Sequence, residues 1–271
     1  MWFSANKLSL NANKTHYMYF NPHQFHSLQP IQTPSLSVHP TQEVKFLGLT
    51  VDSSFKWKSH VESIKGKLSS AIFAIGSIRK NVDPSPALLA YFSYFHSILS
   101  YGLIYWGFSP SAHSVLLLQK RAVRSIFGMR RIESCRQVFK SRGILTLYGQ
   151  LILDSCVLVH TLSDELPRHR DVHSYNTRHR NNIISTRGTS FRKSFLGEGI
   201  RVFNALPESL KSLTPGTFKP ALKTHLINIC PYSVQEFMDA IENGGLDGEP
   251  SSVKIVVFFV WSSTKSSFTL S

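Results

Sequence analysis

The sequence of 271 residues predicts an α+β fold that is mainly α. Apolar residues recur at spacings of three and four from Val61 to Ile78 and from Val115 to Ile126, as expected for amphipathic helices. Short alternating runs before residue 56 predict a few antiparallel strands. Apolar residues make up 42% of the chain and charged residues 17%, and this composition excludes wholesale disorder.

The region before residue 56 is expected to contain the strands. Residues 6–20 alternate around a turn and predict a hairpin-like pair of strands. Residues 21–42 contain four prolines among His, Gln and Ser, which is typical of a solvated loop. Residues 44–51 form the next predicted strand, and Gly48 in its middle indicates a bulge or a close backbone approach.

Two helices are predicted to follow. The first begins with a capping box formed by Ser59 and Glu62. Pro86 suits the first position of the second helix, whose uncharged run at 87–106 is expected to be a core element. The apolar stripe of the first helix consists of Val61, Ile64, Leu68, Ile72, Ile75 and Ile78.

A third predicted helix covers residues 113–127 and ends at Gly128, and a fourth covers about 146–163. One face of the third helix is apolar and the opposite face is basic. The apolar face consists of Val115, Leu118, Ala122 and Ile126, and the basic face of Lys120, Arg121 and Arg124.

The remaining sequence predicts an irregular basic region and a tail. Residues 164–195 hold seven Lys and Arg against three Asp and Glu. Thr217 is predicted to cap a short helix with apolar Phe218, Leu222 and Leu226. An apolar run at 253–261 suggests a strand without a recognisable partner. Four regions result: residues 1–55, 56–163, 164–230 and 231–271.

The net charge of +14 comes from 30 Lys plus Arg against 16 Asp plus Glu. An excess this large indicates a polyanionic partner, either nucleic acid or an acidic membrane face. A merely basic protein is the open alternative, because net charge identifies no site. The run at 87–106 is long enough to cross a bilayer, but its serines, histidine and four tyrosines favour a buried helix of a soluble domain.

The cysteines and the N-terminus bear on compartment. Cys135, Cys156 and Cys230 are widely spaced, which supports neither a zinc site nor a disulfide framework. They predict reduced thiols in an intracellular protein, nuclear or cytoplasmic. The N-terminus lacks a basic segment followed by an apolar one, so secretion is not expected. No metal site is predicted.

Several stretches together resemble the reverse transcriptases of jockey-like non-LTR retrotransposons. They are NKLSLNANKTHYMYF at 6–20, VKFLGLTVD at 44–52 and LQKRAVRSIFG at 118–128. SYNTRHR at 174–180 and GIRVFNALPESLKS at 199–212 are similar to the tail that follows the polymerase thumb in that family. The set is specific although each piece alone is weak, and it covers roughly the first 230 residues.

The resemblance implies a partial palm before residue 56, then a helical thumb and a basic connection region. Lys14, in Asn-x-x-Lys-Thr, matches the lysine of the palm's fourth motif, near the phosphates of the incoming nucleotide. A solvated turn lysine is the alternative. Phe46, Leu47 and Gly48 match the strand that supports the primer end.

Nucleotide addition needs carboxylates that bind two metal ions, Mg²⁺ in the complete family enzyme. The sequence has no Asp-Asp pair, and Asp52 stands alone at the end of a predicted strand. The chain is therefore expected to be a fragment that lacks the catalytic aspartates, needs no cofactor and is inactive alone.

The expected partner is an RNA or RNA–DNA template–primer duplex, with no small-molecule substrate. Its phosphates are expected to contact cations of the third helix and of the basic region. A merely solvated charged face is the alternative for the helix. A degenerate or domesticated product without enzymatic function and, less favoured, a membrane-associated protein are the competing interpretations. The predicted contact residues are Lys120, Arg121, Arg124, Arg178, Arg180, Arg192 and Lys193.

Overall fold

The structure is a computed structural model, and it confirms an α+β fold that is mainly α. Short antiparallel strands precede residue 56 and helices follow it. The structure describes residues 5–8, 11, 15–20, 29–33, 36–79, 83–172, 180–184 and 194–244.

Two small hairpins form the strand region. β1 (Ile31–Thr33) pairs antiparallel with β2 (Leu36–Val38), inside the segment predicted to be a solvated loop. The hairpin predicted over 6–20 is wrong for the described part of that segment, where Tyr17 makes only an isolated bridge to Pro40. Backbone pairing in this region proceeds without the side-chain alternation that sequence patterns detect.

The predicted strand at 44–51 is in fact a second hairpin. β3 (Glu43–Phe46) and β4 (Leu49–Asp52) pair antiparallel with Phe46 opposite Leu49. Leu47 and Gly48 form the two-residue turn, with φ of 45° and 83°. Positive φ at both positions matches the twist of a tight hairpin, which explains the glycine. The predicted bulge is wrong, whereas the predicted close approach is confirmed by the Tyr101 side chain: a Cβ atom at Gly48 would lie 3.3 Å from Tyr101 Cε1.

The first helix, α1, spans Lys58–Arg79. The predicted capping box does not form, because Ser59 donates its hydroxyl hydrogen to Glu43, and Glu62 pairs with Lys65 at 2.9 Å. The predicted stripe is buried from Val61 to Ile75, and Ile78 at its end is 36% exposed.

The predicted helix at 87–106 is interrupted. It comprises α2 (Pro84–Ala90), a π-helical segment (Tyr91–His96), α3 (Ser97–Ser100) and, after a turn at Gly102, α4 (Leu103–Trp106). Buried residues recur at every fourth position. In an α-helix of 3.6 residues per turn, residues at this spacing drift gradually away from one face, and the wider π-helical turn brings them back onto it. These residues are Ala87, Tyr91, Phe95, Leu99 and Leu103. Among the described helices, none is long and apolar enough to cross a membrane.

The third and fourth predicted helices are confirmed. α5 spans Ala112–Phe127 and ends at Gly128, whose φ of 65° is left-handed. After the short α6 (Arg136–Ser141), α7 spans Leu147–Thr161, and the Thr146 side chain accepts a hydrogen bond from the Gly149 amide at 2.9 Å. The apolar face predicted for α5 is buried except for Leu118, which is partly buried.

Five described helices follow α7. They are α8 (His169–Val172), α9 (Phe195–Ala205), α10 (Glu208–Lys211), α11 (Pro215–Ile229) and α12 (Val234–Glu242). Helices α9 to α12 share a core with the far side of α7, whereas α8 has no buried residue. The predicted apolar residues of α11 are buried, but its N-cap is Thr214 rather than Thr217. The run at 253–261 lies outside the described residues.

Helix α7 belongs to two hydrophobic cores. Leu147 and Leu151 face the core built by α1 to α6, whereas Ile152 and Cys156 face the core built with α9, α11 and α12. Its near-continuous apolar sequence follows from burial on both sides.

Candidate nucleic-acid interface

Positive charge is most concentrated on α5, α6 and the loop between them. Residues 120–142, here termed the basic segment, contain eight Lys and Arg and a single acid, Glu133. The orientation of this segment is fixed by Gln119, a fully buried side chain of α5. Its amide donates to the Tyr91 hydroxyl and to the Leu145 carbonyl, both at 2.9 Å, and its oxygen accepts from the Leu147 amide at 2.7 Å. The cations of α5 are therefore carried on a helix whose rotation is set from inside the core.

Lys120 lies half-buried against an aromatic ring rather than free in solvent. Its Nζ is 3.6 Å from the ring centroid of Tyr232, and the Arg136 guanidinium carbon is 4.1 Å from the same centroid. Burial lowers the pKa of Lys120, and the nearby Arg124 and Arg136 act in the same direction. This lysine contributes to packing the Tyr232 segment as well as to the local positive field.

Arg124 also has a structural partner. Its Nε and one terminal nitrogen donate to the Glu133 carbonyl at 3.1 and 2.8 Å, which holds the loop that joins α5 to α6. Arg136 donates to the Cys230 carbonyl at 3.1 Å and forms an ion pair of 2.6 Å with Glu236. Arg124 thus connects α5 to the following loop, and Arg136 connects α6 to the segment at residues 230–236.

Arg121 is different, because it is exposed and its guanidinium has no hydrogen-bond or ion-pair partner among the described residues. The structure therefore does not present the predicted basic face of α5 as three equivalent free cations. It places Lys120 and Arg124 together on contacts with the loop and Tyr232, and it leaves Arg121 in a groove beside α1.

Sequence reasoning missed the other exposed cations of the basic segment. The Arg130 side chain is 85% exposed, Arg131 and Lys140 are exposed, and Arg142 lies 5.2 Å above the Phe127 ring. Arg130 has only a loose contact of 3.8 Å with Glu133. The signal that identifies them is the ratio of eight cations to one acid, which is visible in the sequence without any periodicity.

The second predicted basic site is described only in part. Arg180 is exposed, and its carbonyl accepts from the Arg170 amide at 2.9 Å. A bridge between Arg168 and Ile183 closes this loop. The remaining predicted contacts there, and the predicted palm lysine, lie outside the described residues; they are Arg178, Arg192, Lys193 and Lys14.

The three residues predicted to support a primer end occupy the tip of the second hairpin. Phe46 is 63% exposed and Leu47 is 75% exposed, and the Leu47 carbonyl accepts a hydrogen bond from the Tyr101 hydroxyl. A Cβ atom at Gly102 would lie 2.8 Å from Leu49, so the hairpin rests tightly on the break between α3 and α4. The structure thus anchors an exposed apolar tip on the helical region, apart from the basic segment in sequence.

Asp52 does not fit a polymerase metal site. One carboxylate oxygen accepts from the amides of Ser54 and Lys56, both at 3.0 Å, and the other accepts from the Trp57 amide at 2.6 Å. Partial burial raises its pKa, but the hydrogen bonds from Ser54, Lys56 and Trp57 outweigh burial and hold the pKa below its usual value. The carboxylate therefore holds the loop of residues 53–57 that leads from β4 into α1. Within the described part of the chain, His, Cys, Asp and Glu side chains form no group of three that would hold a metal ion.

No protein-family model, no curated protein and no solved structure matches this chain.

Proposed function

We propose that the chain is a fragment of a retrotransposon RNA-directed DNA polymerase that binds nucleic acid and does not copy it. Five stretches of sequence support the family, as a set rather than singly. The absence of an adjacent aspartate pair from the sequence supports the lack of catalysis, and the lone Asp52 accepts hydrogen bonds from backbone amides of the loop before α1.

The observation that carries the binding proposal is the basic segment. Its exposed cations project from α5, α6 and a loop that Arg124 holds through two hydrogen bonds. A phosphate backbone is bound by exposed cations of this kind, because each phosphate contact releases condensed counterions. The preferred partner is an RNA or RNA–DNA duplex, contacted through phosphates and read with little sequence preference.

Binding is tested by fluorescence anisotropy with a labelled RNA duplex at several salt concentrations. Log affinity should fall linearly with log salt, with a slope of about −0.7 to −0.9 per phosphate contact. Replacing Arg130, Arg131 and Lys140 with Gln should flatten the slope by about two to three units if each cation meets one phosphate.

A charge-matched control removes three exposed lysines elsewhere, Lys67, Lys219 and Lys223, by the same change to Gln. This control should leave most of the slope in place. Equal flattening by both triple variants would show that net charge, rather than the basic segment, governs binding. Wild-type chain that binds no duplex at low salt would contradict the proposal outright.

Catalysis is tested by primer extension on an RNA template with Mg²⁺ or Mn²⁺. No template-dependent extension is expected, because nucleotide addition needs paired metal-binding carboxylates. Extension that persists after contaminating polymerases are removed would overturn this part of the proposal.

A further inference from the structure

A groove of about 320 Å³ lies between α1 and α5. The helices approach closely at its floor, where a Cβ atom at Gly76 would lie 3.1 Å from Ser125 Oγ. The lack of a side chain at Gly76 allows the two helices to approach this closely. Its lining consists of Ser69, Ile72, Phe73, Gly76, Ser77, Arg121 and Ser125.

One wall of the groove is suited to an anion. The Arg121 guanidinium has no partner among the described residues, and the lining contains no acidic side chain. The Ser69 and Ser125 hydroxyls make no hydrogen bond to any described residue and can donate, whereas the Ser77 hydroxyl donates to the Phe73 carbonyl at 3.1 Å. Guanidinium and hydroxyl groups together are the donors that phosphate oxygens prefer.

The other wall carries an exposed aromatic ring. Phe73 is 79% exposed although it lies on a helix whose apolar stripe is otherwise directed into the core. A single exposed apolar residue needs no explanation by itself. Beside an unpartnered arginine, however, the ring offers a stacking surface within reach of a phosphate-binding group.

We infer that this groove binds one unpaired nucleotide of a nucleic-acid strand, with its phosphate at Arg121 and its base on Phe73. A volume near the lower limit for small-ligand sites fits a single nucleotide and excludes a duplex. Bases inside a helix are stacked and paired, so only a single-stranded end, loop or overhang presents a face to an aromatic ring. The inference rests on the proposed function and adds a preference for duplexes that end in an unpaired segment.

The test compares two RNA duplexes of the same sequence, one blunt and one with a three-nucleotide overhang that contains 2-aminopurine. The wild-type chain should bind the overhang duplex about five- to tenfold more tightly, because base–aromatic stacking and one extra phosphate contact are added. Fluorescence of 2-aminopurine should fall on binding as the base stacks.

Two variants address the groove. Phe73→Ala should abolish the quenching and should change the affinity for the blunt duplex by less than twofold. Both Phe73→Ala and Arg121→Gln should remove most of the higher affinity for the overhang duplex. The matched controls are Leu89→Ala, an exposed apolar residue on α2, and Arg131→Gln, an exposed arginine outside the groove. Both controls should keep the quenching and the overhang advantage. Circular dichroism checks that each variant is folded.

The outcomes separate the two proposals. Equal affinity of the wild-type chain for blunt and overhang duplexes overturns the groove assignment and leaves duplex binding intact. Quenching that survives in folded Phe73→Ala also overturns it, as does equal loss in Leu89→Ala. Failure to bind either duplex removes the proposed function and the groove assignment together. The monophosphate of 2-aminopurine riboside, tested alone, should show no quenching at the same concentration; equal quenching would assign the groove to a free nucleotide rather than a strand.

Discussion

The strand region, residues 31–52, and the helical body, residues 58–161, are stabilised in different ways. Of the side chains described in the strand region, Val38 alone is buried, at 9% exposure. The helical body buries a continuous set of large apolar side chains, including Trp106 and Phe95, at zero exposure. The strand region attaches through the partly buried Leu49 and Val51, which pack against that core. Directed contacts add to this attachment: Asp52 accepts from the Trp57 amide, the Tyr101 hydroxyl donates to the Leu47 carbonyl, and the Thr50 amide donates to His60 at 3.3 Å.

Because of this difference, different kinds of substitution should lower the stability of the two regions. Apolar burial is spread over many contacts, so a single core truncation loses transfer free energy and leaves a cavity. Directed hydrogen bonds concentrate their contribution in a few atoms, so the strand region should be sensitive to individual polar or glycine positions and tolerant of apolar truncation at its tip.

The largest effect is expected from Trp106→Ala. The indole is fully buried in the helical body, and its N–H donates to the Tyr101 carbonyl at 3.2 Å. Its removal should lower the free energy of unfolding by about 3–5 kcal/mol. Urea denaturation followed by circular dichroism measures the change.

The matched substitution in the strand region is Phe46→Ala, because that ring is 63% exposed. Its cost should stay within about 0.5 kcal/mol. A cost for Phe46→Ala that approaches that of Trp106→Ala would abolish the contrast between the regions, since an exposed hairpin tip would then contribute as much as the core.

Asp52→Ala should have the next largest effect, about 2 kcal/mol, because it removes the acceptor for three backbone amides of the loop between β4 and α1. Asp52→Asn should recover part of this stability in equilibrium unfolding, since an amide oxygen still accepts one or two of the bonds.

The same carboxylate gives stability a pH dependence of known sign. The folded-state pKa of Asp52 lies below its unfolded value, so the contribution is complete above the unfolded pKa of about 3.9 and is lost as pH falls through the folded pKa. Wild-type chain should therefore lose part of its advantage over Asp52→Asn in acid. An advantage that is constant between pH 6 and pH 3 would contradict the assignment of Asp52 as an ionised acceptor for these loop amides.

The sequence predicts an element when the pattern that identifies it lies within a few neighbouring residues. The stripes from Val61 to Ile75 and from Val115 to Ile126 predicted α1 and α5, because helical periodicity is recorded in residues three or four apart. The pairing of β1 with β2 was missed, since a Pro-rich polar segment shows no alternation. The break at Gly102 was missed because it lies within an unbroken apolar run.

For the candidate interface, the sequence predicts which residues carry positive charge. It does not predict which of these side chains lack a partner within the protein. Lys120 was read as a phosphate contact, and it packs on Tyr232, a residue from the opposite end of the chain. No local pattern records that contact. Arg121, one position along α5, has no such partner among the described residues, and only the packing of α1 against α5 shows the groove beside it.

A comparison of two glycines tests how the strand region is attached to the helices. Gly102 and Gly128 have nearly the same left-handed φ, 62° and 65°. A Cβ atom at Gly102 would lie 2.8 Å from the Leu49 side chain, whereas a Cβ atom at Gly128 would meet no described atom within 4 Å. Gly128→Ala should cost about 1 kcal/mol for the backbone strain alone. Gly102→Ala should cost up to about 1 kcal/mol more, because the Leu49 side chain must move away from the new Cβ atom.

Equilibrium unfolding of both glycine variants measures the difference. Hydrogen exchange of the β3 and β4 amides should increase in Gly102→Ala and stay unchanged in Gly128→Ala. Equal costs and equal exchange would show that the hairpin does not rest on the helix break.

The ring and the hydroxyl of Tyr232 are expected to make separate, small contributions to stability. The ring lies beside Lys120 and Arg136, whereas the hydroxyl oxygen is buried and has no hydrogen-bond partner among the described residues. Tyr232→Phe keeps the ring contacts and removes a polar atom that folding desolvates without compensation, so stability should stay within about 0.5 kcal/mol of wild type or rise slightly. Tyr232→Leu removes the aromatic face and should cost about 1 kcal/mol or more, because both cation–π contacts are lost.

A double variant with Lys120→Met measures the part of the Tyr232→Leu cost that arises from the contact with the lysine. Tyr232→Leu should cost less stability in the Lys120→Met background than in wild type. If the two costs are equal, the lysine and the ring do not interact, and Lys120 is then available to contact a phosphate.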